Sequence, residues 1–430
     1  MSDVVVIGAG ISGLACAWKL RQAGLDVLVL ETKDRPGGVI SSERVDGFLV
    51  ESGPNTILPT PEALSLLSQI GLDGEMVTAP PNSPRFIYIN GRLRKAPFQV
   101  LSLGGKLRAL GEPLVSRGGE VEETLASFFT RRFGSEIHNR LAAPFVTGIW
   151  AGDTEQLSVD ATFPRLVELE RRYGSVIVGM LRSPRSGPRA KLAAFRDGMK
   201  TLPLRLARDL DVRLGVDDVR LANGLRVEWD NDTAEPKAVV LACPAYVSAG
   251  LTRSISPDLA NLLDTAQYAP MLVAATSIDE GRLGRPLNGF GFLVPRSEKI
   301  HILGTLFSSS LFPNRAPPGM ALLTSFVGGA LEPDAIKWSE DRVWDTVTAE
   351  LTKILGPKKG TLEPVRLFRQ ERAIPQYGIG HRKWLANVAA TVGKAAGLFL
   401  TGSYLDGVSV PAAMEHGRGT ADAVIEYVRR

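Results

Sequence analysis

Cysteine is nearly missing from this chain: Cys16 and Cys243 are the only two in 430 residues. Both sit in apolar runs (GLACAWKL and VVLACPA), where a buried free thiol is the expected state. That excludes a disulfide scaffold or a cysteine metal cluster, and it suits a reducing compartment. Histidine is scarce too. His138, His301, His381 and His416 are scattered without metal-ligand spacing, and each reads as a packed or surface residue rather than a base. No Ser-His-Asp arrangement and no phosphate-cradling lysine motif occurs. No apolar run reaches the roughly 18 residues a membrane-spanning helix needs, so any membrane contact is peripheral. No charged-then-apolar leader precedes the first strand, so no secretory signal is expected. The formal charge of +4 is too mild to argue for nucleic acid, but it suits an anionic ligand or lipid surface.

What the chain does have is length for two or three lobes and a strong signal at its start. Val4 to Ile7 is a continuous aliphatic run, as a buried parallel strand requires. Gly8-Ala9-Gly10-Ile11-Ser12-Gly13 follows, then LACAWKLRQA, a helix ending at Gly24, and the strand DVLVL ending at Glu31. Strand, glycine loop, helix, strand and acid is the complete dinucleotide-binding order. Gly8 permits the tight turn, Gly10 lets backbone approach a pyrophosphate, and Gly13 lets helix and strand pack closely. The helix start offers amides and partial positive charge to phosphates. Glu31 can accept hydrogen bonds from a ribose diol.

Directly after Glu31 comes Thr32-Lys33-Asp34-Arg35-Pro36-Gly37-Gly38-Val39. An arginine followed by a glycine pair resembles the second fingerprint of the large flavoprotein group that contains the amine oxidases, which selects FAD over NAD. By that resemblance Gly37 and Gly38 approach the FAD diphosphate and ribityl chain, with Thr32, Arg35 and Val39 beside them. At the other end, LFLT (398–401) reads as a strand reaching Gly402, and a helix follows through GRGTADAVIEYVRR. In this group that helix points its positive end at the flavin, with Gly407, Val408 and Ser409 in contact.

Between these ends, residues 60–190 are rich in amphipathic helical stretches such as PEALSLLSQIGL and EETLASFFTRRFGSEIHNRLA. Strand patterns return in DVRLG, LRVEW and KAVVLACP, and again in MLVAATSI, GFGFLVP, HILGTLF and ALLTSFVGG. KAVVLACP reads as a buried strand of the first sheet. The hairpin with Asp217, Asp218 and Val219 is expected to reach the adenine. The expected fold is α/β: a Rossmann-type FAD-binding domain with an inserted mixed-sheet substrate domain and a helical membrane-associating lobe. The FAD-binding domain takes 1–80, 200–250 and 375–430, the helical lobe 81–199 and the substrate sheet 251–374.

In-order segments across the chain resemble one family, the protoporphyrinogen oxidases. They are Glu51-Ser52-Gly53-Pro54-Asn55-Thr56, Arg85-Phe86-Ile87-Tyr88, Gly148-Ile149-Trp150-Ala151-Gly152-Asp153, Gly289 to Pro295, Ser308 to Arg315, and Ile374 to His381, with Gly407-Val408. The resemblance implies that Arg85 pairs with a substrate propionate. It makes Phe290, Gly291, Leu293, Leu306 and Phe326 walls around a flat macrocycle. It sets Asn55, with Gly53, Pro54 and Thr56, beside the flavin. A porphyrinogen is broad and apolar with carboxylates, so it needs such walls and one or two cations. The flavin carries the chemistry, so no general base is nominated.

Two departures stand out. Phe368-Arg369-Gln370-Glu371-Arg372 occupies a stretch where many members place a tryptophan, and Asp406 is an acid where small residues are usual. The implied partners are the porphyrinogen and molecular oxygen. The resemblance leaves room for a homodimer, a hand-off to ferrochelatase and peripheral docking on the cytoplasmic membrane face through 97–200. Rival readings are a coproporphyrinogen III oxidase, which would want more cations than Arg85, a flavin amine oxidase or carotenoid desaturase, and a scaffold that has lost FAD.

Overall fold

The computed structural model describes residues 2–119, 121–183, 191–283, 286–357 and 361–430. Five aliphatic strands form a wholly parallel sheet in the order Leu398–Leu400, Ala238–Leu241, Val4–Ile7, Val27–Glu31, Asp211–Leu214. The middle three are buried on both faces, which explains why their sequences do not alternate. Val4 and Val6 pack towards the helices Ile11–Gln22 and Val410–Arg429, whereas Val5 and Ile7 pack towards Ala245–Thr252 and Pro257–Asp264. The two ends of the chain therefore meet in one domain.

The second sheet has seven strands, in the order Glu363–Pro375, Tyr268–Asp279, Met320–Gly328, Ile302–Phe307, Gly291–Leu293, Arg85–Ile89, Arg92–Lys95. It is antiparallel except where Gly291–Leu293 runs parallel to Arg85–Ile89. One face packs on the helix Glu340–Leu355 through Val343, Val347 and Leu351. The other face turns towards the dinucleotide domain and the helical lobe.

The sheet departs from the sequence reading in two places. Residues 85–95, where FIYIN reads as an alternating strand, pair into this sheet although the domain bounds grouped them with the lobe from 81. Glu363–Pro375, which covers Phe368 to Arg372, is a 13-residue strand that the sequence reading left without an element. Its alternation is masked because this outer strand carries charges on its open side. Ala193–Phe195, also assigned to the lobe, is fully buried against Met76–Thr78 in the dinucleotide domain.

The helical lobe contains Leu103–Leu110, Leu125–Phe133, Ala143–Trp150, Pro164–Tyr173 and Val176–Arg182. The stretch EETLASFFTRRFGSEIHNRLA breaks at Gly134, whose φ of 88° ends the helix there. Its interior is unexpectedly ionic. Arg132 and Glu112 are both fully buried and paired, and Glu170 binds Arg131 at 2.7 Å and Arg132 at 3.3 Å. Burial alone would raise the Glu112 carboxyl, but hydrogen bonds from Ser175, Val176 and Arg132 outweigh it and hold it low. Among the described residues no helix is long and apolar enough to cross a membrane. Of the basic stretch RSPRSGPR, residues 184–189 lie outside the described residues.

Candidate active site

The glycine loop has the shape a dinucleotide requires. Gly8 has φ 109°, and a Cβ there would stand 2.9 Å from the Ala242 backbone. At Gly13 it would stand 2.2 Å from the Gly8 carbonyl oxygen, so only glycine fits. The helix from Ile11 has no side-chain cap and no acid in its first turn, so its positive end is left for an anion. Glu31 is buried, and its two carboxylate oxygens accept from Ala9 N at 2.8 Å and Lys33 N at 3.0 Å. Each oxygen keeps acceptor capacity for a ribose hydroxyl.

The second fingerprint is tied to the first. Gly37 N donates to Ala9 O at 2.8 Å, and a Cβ on Gly38 would lie 3.3 Å from Gly10 Cα. Arg35 folds back onto this turn, donating to Ile40 O and Gly38 O at 3.2 Å each. It braces the loop. Ser52 and Gly53 close against Val39, and Asn55 Nδ2 donates to Gly53 O at 2.9 Å. Thr32 is exposed at the rim. The hairpin beyond Asp211–Leu214 meets this region through Gly215 N to Lys33 O and Val216 N to Glu31 O. Val219 instead packs on the core behind the sheet.

At the C-terminal end Gly402 has φ 150° and Gly407 φ 69°. Ser409 caps the helix Val410–Arg429 by accepting from Ala412 N at 3.2 Å, and that helix also has no acid in its first turn. A Cβ on Gly417 would lie 2.1 Å from Ser12 O, so the last helix packs directly on the glycine-loop helix. The sequence reading gave Gly417 no role. Val408 packs on the helical lobe beside Trp150 and Tyr377. Tyr404 is buried in the core behind the sheet, so it is no aromatic cage. These glycine-lined approaches fit an FAD, with backbone amides and Glu31 as the groups that would hold it.

On the substrate side, register decides what the nominated residues share. Cross-strand partners point to one face, as do residues two apart along a strand. Gly291 pairs with Arg85 and Leu306, and Leu306 with Thr324. Leu293 pairs with Ile87 and Gly304, and Gly304 with Phe326. Arg85, Gly291 and Leu306 therefore form one row, with Leu293 and Phe326 in the next row on the same face. Phe290 stands just ahead of its strand, with its ring centroid 5.1 Å from the Arg85 guanidinium. Arg85 has no acidic partner among the described residues. Asn55 and Thr56 line a small cavity with Leu306 and Ser308, which joins the dinucleotide loop to these rows.

The helix Ala143–Trp150 packs beside this face and buries Val146, Thr147 and Trp150 in its own lobe. Its other side presents Phe145, Gly148 and Ile149, at helical spacing. A Cβ on Gly148 would meet Leu293 Cδ2 at 2.8 Å, which fixes this side towards the sheet, while Phe145 and Ile149 are exposed. Apolar residues on two sides of one helix were the available signal.

The segment 374–381 links the parts. Tyr377 Oη donates to Ser403 O, its ring stacks on His381 at 4.0 Å, and Trp150 meets it edge-on at 4.8 Å. Burial in this stack holds the His381 imidazole down to about 4. Asp406 is exposed.

A family model for flavin containing amine oxidoreductases matches residues 11–425. Chloroplastic protoporphyrinogen oxidase 1 of Arabidopsis thaliana is 34% identical over 481 aligned residues, covering 100% of this chain and 89% of that protein. Coproporphyrinogen III oxidase of Bacillus subtilis is 26% identical over the full length of both. A crystal structure from an Exiguobacterium species, assigned provisionally as a protoporphyrinogen oxidase, superposes with a TM-score of 0.84 at 25% identity, covering 98% of each chain. The chain belongs to the flavin containing amine oxidoreductase family, and its relatives of 30% identity and above set it among that family's protoporphyrinogen oxidases.

Proposed function

We propose that this chain oxidises protoporphyrinogen IX to protoporphyrin IX with FAD, and that molecular oxygen takes up the electrons. The observation that supports the reading is the apolar sheet face of Leu293, Leu306 and Phe326 beside the helix Ala143–Trp150, with the Asn55 loop at one edge and the Arg85 guanidinium, which has no acidic partner among the described residues. FAD, held by the glycine loops and Glu31, would supply two-electron acceptance, called on three times for six electrons in all. The chain's part is to hold the ring plane between Leu306, Phe326 and Phe145 and to anchor a carboxylate at Arg85. The two rows carry no acid and no imidazole, so the walls orient and exclude water rather than move protons.

The membrane-associating role of the lobe also has support. Leu103, Leu107 and Leu110 form a stripe at i, i+4 and i+7 that faces outward, joined by exposed Leu114, Met180 and Leu181. Exposed Lys106 sits among them. An apolar stripe with cations suits peripheral docking on an anionic leaflet, on the cytoplasmic side if the unpaired thiols reflect the compartment.

A coproporphyrinogen III oxidase is the second reading, motivated by the Bacillus subtilis relative. Mixing the protein with each porphyrinogen in air and following porphyrin fluorescence separates the two. Faster turnover per KM is expected with protoporphyrinogen IX, and the reverse order would transfer the assignment.

A further inference from the structure

The hairpin that begins with Arg85 holds a second guanidinium that has no acidic partner among the described residues. Its strands, Arg85–Ile89 and Arg92–Lys95, are joined by Asn90 and Gly91, with φ 51° and 71°. Two consecutive positive φ values make the tight turn that locks hairpin register. In that register Ile87 lies opposite Arg94, and Tyr88 opposite Leu93. Arg94 therefore extends the row of Ile87, Leu293 and Phe326, on the face that also carries Arg85. Leu93 points the other way and packs in the core on the far side, which fixes the assignment of faces.

Cations on an outer strand usually guard it against pairing, and exposed Arg92 and Lys95 suit that role. Arg94 differs from them. It is half-buried, and it makes no hydrogen bond, ion pair or ring contact with any described residue. Sheet geometry sets Arg85 and Arg94, diagonal neighbours, roughly 7–8 Å apart at Cα. Two like charges so close, without an acid between them, repel each other unless anions are supplied from outside.

We propose that Arg94 is a second carboxylate anchor, so that Arg85 and Arg94 each hold one propionate of the same macrocycle. This rests on the porphyrinogen reading above. The two propionates of protoporphyrinogen IX stand on neighbouring rings along one edge, which matches two cations side by side at one end of the apolar rows.

The test compares Arg94→Ala, Arg94→Lys, Arg85→Ala and the double variant as FAD-loaded enzyme, with bound FAD checked for each. Arg94→Ala should raise KM for protoporphyrinogen IX about 5- to 150-fold with kcat nearly unchanged, the range of a charge-assisted contact. Arg94→Lys, which keeps the charge, should recover part of the loss. The double variant should be impaired well beyond Arg85→Ala alone, because the anchors grip separate carboxylates. Binding of the product, read by quenching of porphyrin fluorescence, should weaken in Arg94→Ala for protoporphyrin IX but not for its dimethyl ester. Unchanged KM and product affinity in Arg94→Ala, with Arg85→Ala impaired, would overturn the proposal while leaving the functional reading standing. A double variant no worse than Arg85→Ala alone would also overturn it. Wild-type protein that neither oxidises the porphyrinogen nor binds the product would sink the functional reading and this proposal together.

Discussion

Glu51 and Arg315, 264 positions apart in the chain, form a buried ion pair at 2.9 Å between the dinucleotide domain and the loop that follows Leu306. Glu51 also accepts from Ser42 Oγ at 2.5 Å and Met199 N at 3.0 Å. The pair lines the same cavity as Asn55 and Leu306. Burial pushes the Glu51 carboxyl up, against the pull of Arg315, Ser42 and Met199. Removing one partner leaves an uncompensated charge. Arg315→Ala should cost about 3–5 kcal/mol, whereas the double change Glu51→Gln with Arg315→Met, which keeps an acceptor for Ser42 and Met199 and buries no charge, should cost less. Denaturant melts of both variants check this, and an Arg315→Ala variant of wild-type stability would refute it.

FAD should be tight and non-covalent, at about one per chain, because no cysteine or histidine stands in the glycine loops. Acid precipitation should leave the yellow colour in the supernatant. Glu31→Ala should weaken FAD binding by about 1.5–3 kcal/mol if its ribose contacts are charge-assisted. Fluorescence titration of apoprotein measures this, and affinity equal to wild type would remove Glu31 from the cradle.

On the proposed reading Arg85 holds a propionate far from the reacting carbon, so its grip would be equal in the ground and transition states. Arg85→Ala should raise KM about 5- to 150-fold with kcat nearly unchanged. High salt should raise the wild-type KM and affect the variant less. A collapse of kcat alone would mean that Arg85 holds the fold or the flavin instead.

Stability should fall as pH drops from the ordinary histidine range towards 4. His381 is held down to about 4 by burial, and burial also lowers His416 and His138. The unfolded chain then takes up protons that the folded chain refuses, so protonation favours unfolding below about pH 6.5. Above that pH these groups contribute no slope. Thermal midpoints measured from pH 4 to 8 test this, and His381→Gln should flatten the acid limb.

Vesicle binding should depend on the outward stripe. Leu107→Asp with Leu110→Asp should abolish co-sedimentation with anionic vesicles and leave FAD content intact, since both side chains are exposed. Full retention on vesicles would move the docking surface elsewhere.

The ends of the chain were legible from sequence because their constraints are local. Gly8, Gly13, Gly37 and Glu31 act within one strand-turn-helix unit, where spacing alone fixes geometry. Resemblance supplied the names of the substrate walls, but not their arrangement. Whether Leu306 and Phe326 face each other or lie side by side depends on pairings between strands far apart in sequence, and register is a tertiary property. Tertiary structure alone brought the outer side of Ala143–Trp150 against Leu293, and it tied Glu51 to Arg315. It also put Arg94 on the sheet face of Arg85, because a two-residue turn decided which side of an outer strand that guanidinium would take.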